Sequence, residues 1–273
     1  MRVPNWFRVD AAGLRYYTAW NFFASGVVDC AFSTRIGGTS RYGGLNLSLA
    51  VHDDAQDVIG NRRAFADALG VEFSRIVVPD QVHSTVVRRV TESDAGSGST
   101  DHLTAISDTD ALITNTPGLP LVLHFADCAC IFFLDTQNRA IGVAHAGWRG
   151  TVNGIALLTV EAMKREFGSD PCKMLAAIGP SIGRHCYEVG EEVAREFSAV
   201  FCNDERVISQ SSKNKWRVDL KTANVIMIQR AGLDQNNVAI SEECTRCNRD
   251  EFFSYRRDGD TGRMSGWLAL RHV

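Results

Sequence analysis

Between Leu119 and Ala146 the chain has little choice of structure: LPLVLHF, CIFFLD and AIGVAHA are apolar runs of strand length, parted only by short polar or turn-forming segments. Runs of this length with turn signals between them predict strands. Four further runs of the same kind come earlier: GVVDCAFST from Gly26, RIVVP from Arg75, TVVRRV from Thr85 and DALIT from Asp110. Apolar spacing of three and four in DVIGNRRAFADALG, TVNGIALLTVEAMKREFG, GEEVAREFSAVF and DLKTANVIMIQRAGL predicts helices, each followed by a glycine or turn. The class is therefore mixed α/β. The segment ESDAGSGSTDHLTAIS, from Glu92, has neither period and predicts a loop. It lies between two strand runs and reads as an excursion within one domain spanning 1–273.

Composition narrows the function. With 273 residues and 45% hydrophobic content the chain can bury a full core. Its 29 basic and 32 acidic residues, a net charge of -3, leave no broad positive footprint for nucleic acid or an anionic membrane. A small partner fits better. No apolar run reaches the roughly 18 residues of a membrane span, and the opening MRVPNWFRVDAAGLRYY lacks the apolar core of a signal peptide. The expected location is the cytoplasm, where the 8 cysteines would be thiols or metal-bound thiolates.

Three metal-capable side chains stand at the ends of apolar runs, beside residues that let the chain turn: His83 in PDQVHST, Cys128 in LVLHFADCACIFF and His145 in VAHAGWRG. Two imidazoles and a thiolate match the three-ligand count of a catalytic zinc with an open fourth position. Their separations match no local finger motif, so any convergence must come from neighbouring strands. Spacing alone leaves open that these are hydrogen-bonded histidines and a buried cysteine.

Taken in order, FSTRIGGTS, GLNLS, NRRAF, PDQVHS, TDALIT, ADCACIFFLD, VAHAGWRGT, IGPSIGRHCYEVG and EFFSYRRDGDTGRMSGWLAL resemble a family variously called multicopper polyphenol oxidase, laccase-domain protein, purine nucleoside phosphorylase or peptidoglycan editing factor. The resemblance implies a single layered α/β domain with mixed sheets packed between helices, α/β/β/α-like and similar to the cysteine-hydrolase fold. It also implies that His83, Cys128 and His145 are metal ligands. Zinc is favoured on ligand softness, with copper as the alternative. In that setting His145 ends its strand at the metal, Gly147 lets the backbone turn, and Trp148 and Arg149 face the site or its rim.

The implied activity is phosphorolysis of adenosine, inosine or methylthioadenosine to base and ribose 1-phosphate, with adenosine deamination at the same site. The partners are a purine nucleoside and phosphate, bound by a monomer or homodimer. Phosphate calls for arginine's planar fork of donors, and the candidates are Arg35, Arg149, Arg256 and Arg263. Arg35 lies beside Gly37 and Gly38, whose bare backbone suits an anion. Asn46 and Asp127 are further polar candidates for substrate, and Asp127 could instead orient a ligand histidine.

Alternatives use the same residues. A cell-wall hydrolase would take Cys128 as nucleophile and His145 as base. A multicopper oxidase would need more histidines than the 7 present can bring together. A metal that merely braces the fold would be closed by a fourth ligand, for which His124 is placed in the same apolar run. His52 and His102 read as solvated. Cys244 and Cys247 in CTRC have zinc-knuckle spacing but no second pair follows them, and neighbours His185 and Cys186 on an extended chain would point apart.

Overall fold

The structure, a computed structural model, describes residues 5–272. Its strands are β1 (Trp6–Ala11), β2 (Leu14–Ala19), β3 (Val28–Ser33), β4 (Val87–Arg89), β5 (Ala111–Thr114), β6 (Leu121–Phe125) and β7 (Ala129–Asp135). They continue as β8 (Ala140–Ala146), β9 (Leu175–Ile178), β10 (Glu188–Val189), β11 (Ile208–Ser212), β12 (Lys215–Val218), β13 (Val238–Ile240) and β14 (Met264–Leu270). They form a 5-stranded sheet ordered β1-β2-β3-β14-β6, a 6-stranded sheet ordered β13-β9-β7-β8-β5-β4 and a small sheet ordered β10-β12-β11.

The two large sheets face each other. Phe32, Leu123, Phe125 and Leu268 from the first share one buried cluster with Phe132, Leu134, Ile141 and Val143 from the second. The outer face of the 5-stranded sheet, carrying Ala31, Val122 and Trp267, is covered by Phe65 and Ala66 of helix Ala55–Leu69. The outer face of the 6-stranded sheet, with Ile131, Phe133 and Ala144, packs on helices Ile155–Phe167, Glu191–Phe201 and Leu220–Arg230. Alternation along each strand is thus apolar on both faces, and each fully buried Leu, Ile or Phe contributes about 1.5–3 kcal/mol over exposure. The mixed α/β class expected from sequence is present, with layers in the order helix, sheet, sheet, helices.

Local signals explain the boundaries. Asp54 caps helix Ala55–Leu69 by accepting hydrogen bonds from the N–H groups of Gln56 and Asp57, and Gly70 ends it in a left-handed conformation. The single helix expected over TVNGIALLTVEAMKREFG is two, Trp148–Val152 and Ile155–Phe167. Gly154 between them has φ 79°, a value that glycine adopts without a steric cost. RIVVP forms only isolated bridges, Val77 to Leu121 and Pro79 to Ile106. The Glu92 segment carries two 3-10 turns, Glu92–Asp94 and His102–Thr104. Among the described residues no helix is long and apolar enough to cross a membrane.

Candidate metal centre

The run LVLHFADCACIFF is not one strand. It leaves the 5-stranded sheet at Phe125, turns through Asp127 at φ 88° and enters the 6-stranded sheet at Ala129. Cys128 therefore sits at the crossing between sheets. In the β7–β8 register Ala129 is opposite Ala146, so the end of β8 carrying His145 lies beside this crossing. The third side chain comes from the segment before β4, where His83 itself has φ 60°. That left-handed conformation is uncommon for a non-glycine residue and is held here by hydrogen bonds.

The ligand atoms of His83, Cys128 and His145 lie within 4.8 Å of one another, and the two imidazole centroids are 4.8 Å apart. Asp110, at the start of DALIT, organises them. Its carboxylate accepts the backbone N–H of Val82 at 3.2 Å, of His83 at 3.1 Å and of Ser84 at 2.6 Å. It also accepts a hydrogen bond from His145 Nδ1–H at 2.8 Å, and with the proton on Nδ1 the Nε2 lone pair is left for a metal. Gln81 fastens the same segment to β6, donating to the carbonyl of His124 at 2.9 Å and accepting its N–H at 2.7 Å. Neither Asp110 nor Gln81 was singled out from sequence, although both lie within the motifs TDALIT and PDQVHS.

Gly147 caps the helix Trp148–Val152 in an extended conformation that any residue adopts, φ -70°. Its requirement is space rather than the turn expected of it. A Cβ there would lie 3.0 Å from Cys128 Sγ and 3.0 Å from His83 Cδ2.

The charges couple. Burial alone would raise the Cys128 thiol, but the His145 cation and hydrogen bonds from both histidines outweigh it and bring it down to about 6. Burial likewise opposes the His145 cation, yet Cys128 and Asp110 push it up to about 9. Burial would raise Asp110 too, but His145 and the Ser84 donors hold it below the usual carboxylate range. Without metal these groups form a thiolate–imidazolium pair. Their type, tautomer and convergence all suit a soft divalent ion with two nitrogens and one sulfur.

The trio opens on a cavity of about 480 Å³ that is also lined by Arg62, Asp80, His102, His124, Tyr255 and Arg263. Arg62, in NRRAF, is almost wholly buried and was not foreseen as part of the site. It donates to the carbonyls of Leu47 at 2.7 Å, Gly98 at 2.7 Å and Ser99 at 2.8 Å, and to His124 Nε2 at 3.0 Å. Burial brings its guanidinium down to about 9. His124 is held well below its ordinary value by burial, then by Arg62 and Arg263. It is neutral, accepting from Arg62 at Nε2 and donating from Nδ1 to Ser265 Oγ at 2.7 Å. With both nitrogens engaged it is no fourth ligand. His102, expected to be solvated, lines the cavity with Nε2 3.3 Å from Asp80.

Arg263 donates from Nη1 to the carbonyls of Thr261 and Gly262. Among the described residues its Nε and Nη2 have no protein partner. The other arginines named from sequence are placed elsewhere. Arg35 spends its guanidinium on the carbonyls of Tyr42 and Gly43 and stacks over Phe253 at 4.6 Å, while Gly37 and Gly38 back onto Leu14 and Asn61 rather than open space. Arg149 is exposed and lies over the Trp148 ring at 4.3 Å, off the cavity wall. Arg256 lies over the Tyr187 ring and donates to the Glu188 carbonyl.

Asn46 is fully buried as a brace, donating to Asp53 at 2.8 Å and accepting from the N–H of Arg263 at 2.9 Å. Asp127 points away from the ligands. It accepts from Thr245 at 2.6 Å, Ser254 at 3.0 Å and the N–H of Arg256 at 2.7 Å, so orienting a ligand histidine falls to Asp110. His52 is exposed, as expected.

Known proteins are similar to this chain over most of its length. The chain is 36% identical over 249 residues to the purine nucleoside phosphorylase YlmD of Bacillus subtilis, covering 90% of both chains. It is 37% identical over 233 residues to the adenosine deaminase RL5 of an unknown prokaryotic organism, covering 84% of this chain and 88% of the relative. The crystal structure of YlmD from Geobacillus stearothermophilus superposes with a TM-score of 0.93 at 36% identity, covering 98% of this chain and 100% of that one. Residues 29–271 match the family model described as multi-copper polyphenol oxidoreductase laccase, and the chain belongs to that family.

Proposed function

We propose that the protein is a metal-dependent purine nucleoside phosphorylase that also deaminates adenosine. One observation carries the reading: the cavity that gathers His83, Cys128 and His145 is also lined by Arg263, whose Nε and Nη2 have no protein partner among the described residues. Those two donors form the planar edge that binds a phosphate in bidentate fashion.

In phosphorolysis a phosphate oxygen bonds to ribose C1′ as the bond from C1′ to the purine nitrogen breaks, and the purine leaves with that electron pair. Arg263 holds the phosphate against the ribose, and the one Arg62 N–H not used on protein acceptors adds positive potential. His102, paired with Asp80, stands on the same wall to protonate the leaving purine. His83, Cys128 and His145 would hold a zinc or copper ion, which when bound would supply Lewis acidity that stabilises charge on oxygen. Asp110 keeps His145 in the ligating tautomer, and Gly147, with no Cβ, leaves room beside Cys128 Sγ and His83.

In this reading the whole of 1–273 works as one domain, supported by β14 pairing between β3 and β6 near the site. The relatives named phosphorylase and deaminase support both activities. Adenosine incubated with and without phosphate separates them. Ribose 1-phosphate and adenine that form only with phosphate support phosphorolysis; inosine alone restricts the site to deamination.

A second reading is favoured by the chain of contacts from Cys128 through His145 to Asp110, which has the order of a nucleophile, base and orienting acid. Hydrolysis of a cell-wall precursor by that thiolate would survive exhaustive chelation, whereas the first reading requires activity to disappear with the metal.

A further inference from the structure

Outside the cavity, four metal-capable side chains meet on the far side of Asp127. His185 and Cys186 lie on the 3-10 turn Arg184–Cys186, and Cys244 and Cys247 on the turn that follows β13. The sequence gives CTRC no local second pair, but the fold delivers one from 61 residues upstream. The turn also overrides the expectation that His185 and Cys186 point apart.

The ligand atoms of all four lie within 4.8 Å of one another. His185 Nε2 is 3.1 Å from Cys247 Sγ, and Cys186 Sγ is 3.2 Å from the same sulfur. All three cysteines are free, and that spacing far exceeds the roughly 2.05 Å of a disulfide. Tetrahedral zinc with Zn–S bonds of about 2.3 Å places its sulfurs about 3.8 Å apart, inside the observed spread.

We propose that His185, Cys186, Cys244 and Cys247 form a second, structural zinc site. Three thiolates and a neutral imidazole on Zn²⁺ carry one net negative charge, and the surroundings compensate it. Arg246 Nη1 is 3.4 Å from Cys186 Sγ, and the Gly183 N–H points at Cys244 Sγ at 3.1 Å. Lys215, Arg217 and Arg256 line the adjoining cavity. Position 183 must be small for the ligands to meet, since a Cβ there would come within 2.7 Å of His185 Cε1 and 3.3 Å of Cys244 Cβ.

The site reaches the first centre through Asp127. Thr245, between the two cysteines of CTRC, donates to Asp127 Oδ1 at 2.6 Å, and Ile182, just before Gly183, donates its N–H to the Asp127 carbonyl at 2.9 Å. Both clipped segments thus hold the left-handed residue that precedes Cys128. The second ion braces the placement of a ligand for the first and takes no substrate, because four protein ligands close its coordination.

The test is zinc content of the full chain purified under reducing conditions. Wild type should carry about two metal ions per chain, at least one of them zinc, and the His83→Ala/His145→Ala variant about one zinc. Cobalt exchanged into that variant should show the intense thiolate-to-metal band of a tetrahedral, three-sulfur site. Should the variant fail to fold, X-ray absorption at the zinc edge of wild type decides: an average of about two to three sulfurs per zinc supports the proposal, and about one overturns it. A folded variant without zinc overturns it as well. So does an intact mass showing a Cys186–Cys247 disulfide in place of metal.

Discussion

Asp110 and His145 are joined twice: the Asp110 carboxylate accepts a hydrogen bond from His145 Nδ1–H at 2.8 Å, and the His145 backbone N–H donates to the Asp110 carbonyl at 2.8 Å. Because the same carboxylate also binds the main chain of residues 82 to 84, one side chain fixes the tautomer of one ligand and the strained backbone of another. Two ligands distant in sequence are thereby set by a single buried acid.

Asp110→Asn tests that coupling. The amide keeps the shape but loses the charge and presents a donor to N–H groups that need an acceptor. Metal affinity should fall about 10–100-fold, the usual effect of removing a partner of a ligating histidine. Competition with a chelator of known affinity measures it; unchanged affinity would show that Asp110 has no part in positioning the ligands.

Cys128 should be a thiolate at neutral pH once the metal is stripped. Its lowered value means that the reactive form persists above pH of about 6 and is lost as pH falls through it. Alkylation of the metal-free protein by iodoacetamide, followed at the Cys128 peptide, should show that midpoint. His145→Ala removes the main opposing charge and should move the midpoint upward, while bound metal should suppress the reaction.

Gly147→Ala should separate site from fold. The backbone there accepts alanine, but the methyl would crowd Cys128 Sγ and His83. A displaced ligand costs about 100-fold in turnover. Activity and metal content should fall together with the circular dichroism spectrum unchanged; full activity would mean that the trio has more room than its packing indicates.

Arg263→Gln should divide the two reactions. Losing a charged, bidentate hold on phosphate removes about 1.5–3 kcal/mol and should raise the KM for phosphate about 10–100-fold. Phosphate-independent deamination of adenosine should change little. An equal loss of both activities would point to a structural role for this arginine.

Much of this was legible beforehand, for reasons that particular residues show. β5 to β8 are continuous apolar runs and announce themselves as strands, although local periodicity leaves their layering unread, and the metal-capable residues stand out because they interrupt or end such runs. The N-terminal hairpin was not legible: β1 alternates between half-buried and exposed positions, so no continuous apolar run marks it. Asp110 was hidden because its work is hydrogen bonding to main chain, which leaves no trace in spacing. Arg62 was concealed inside a helical pattern, where an arginine reads as solvent-facing. Arg35, Asn46 and Asp127 drew notice as polar residues near motifs, yet their hydrogen-bonding groups are used on the protein itself. Convergence of His185 and Cys186 with CTRC depended on tertiary structure alone.

Anomalous diffraction at the zinc and copper edges, from crystals of protein purified without chelators, examines the first centre most directly. The expected result is a peak bonded to His145 Nε2, to a ring nitrogen of His83 and to Cys128 Sγ, with the remaining position open to the cavity. Density showing no metal among these three side chains, or a fourth protein ligand closing the ion, would contradict it.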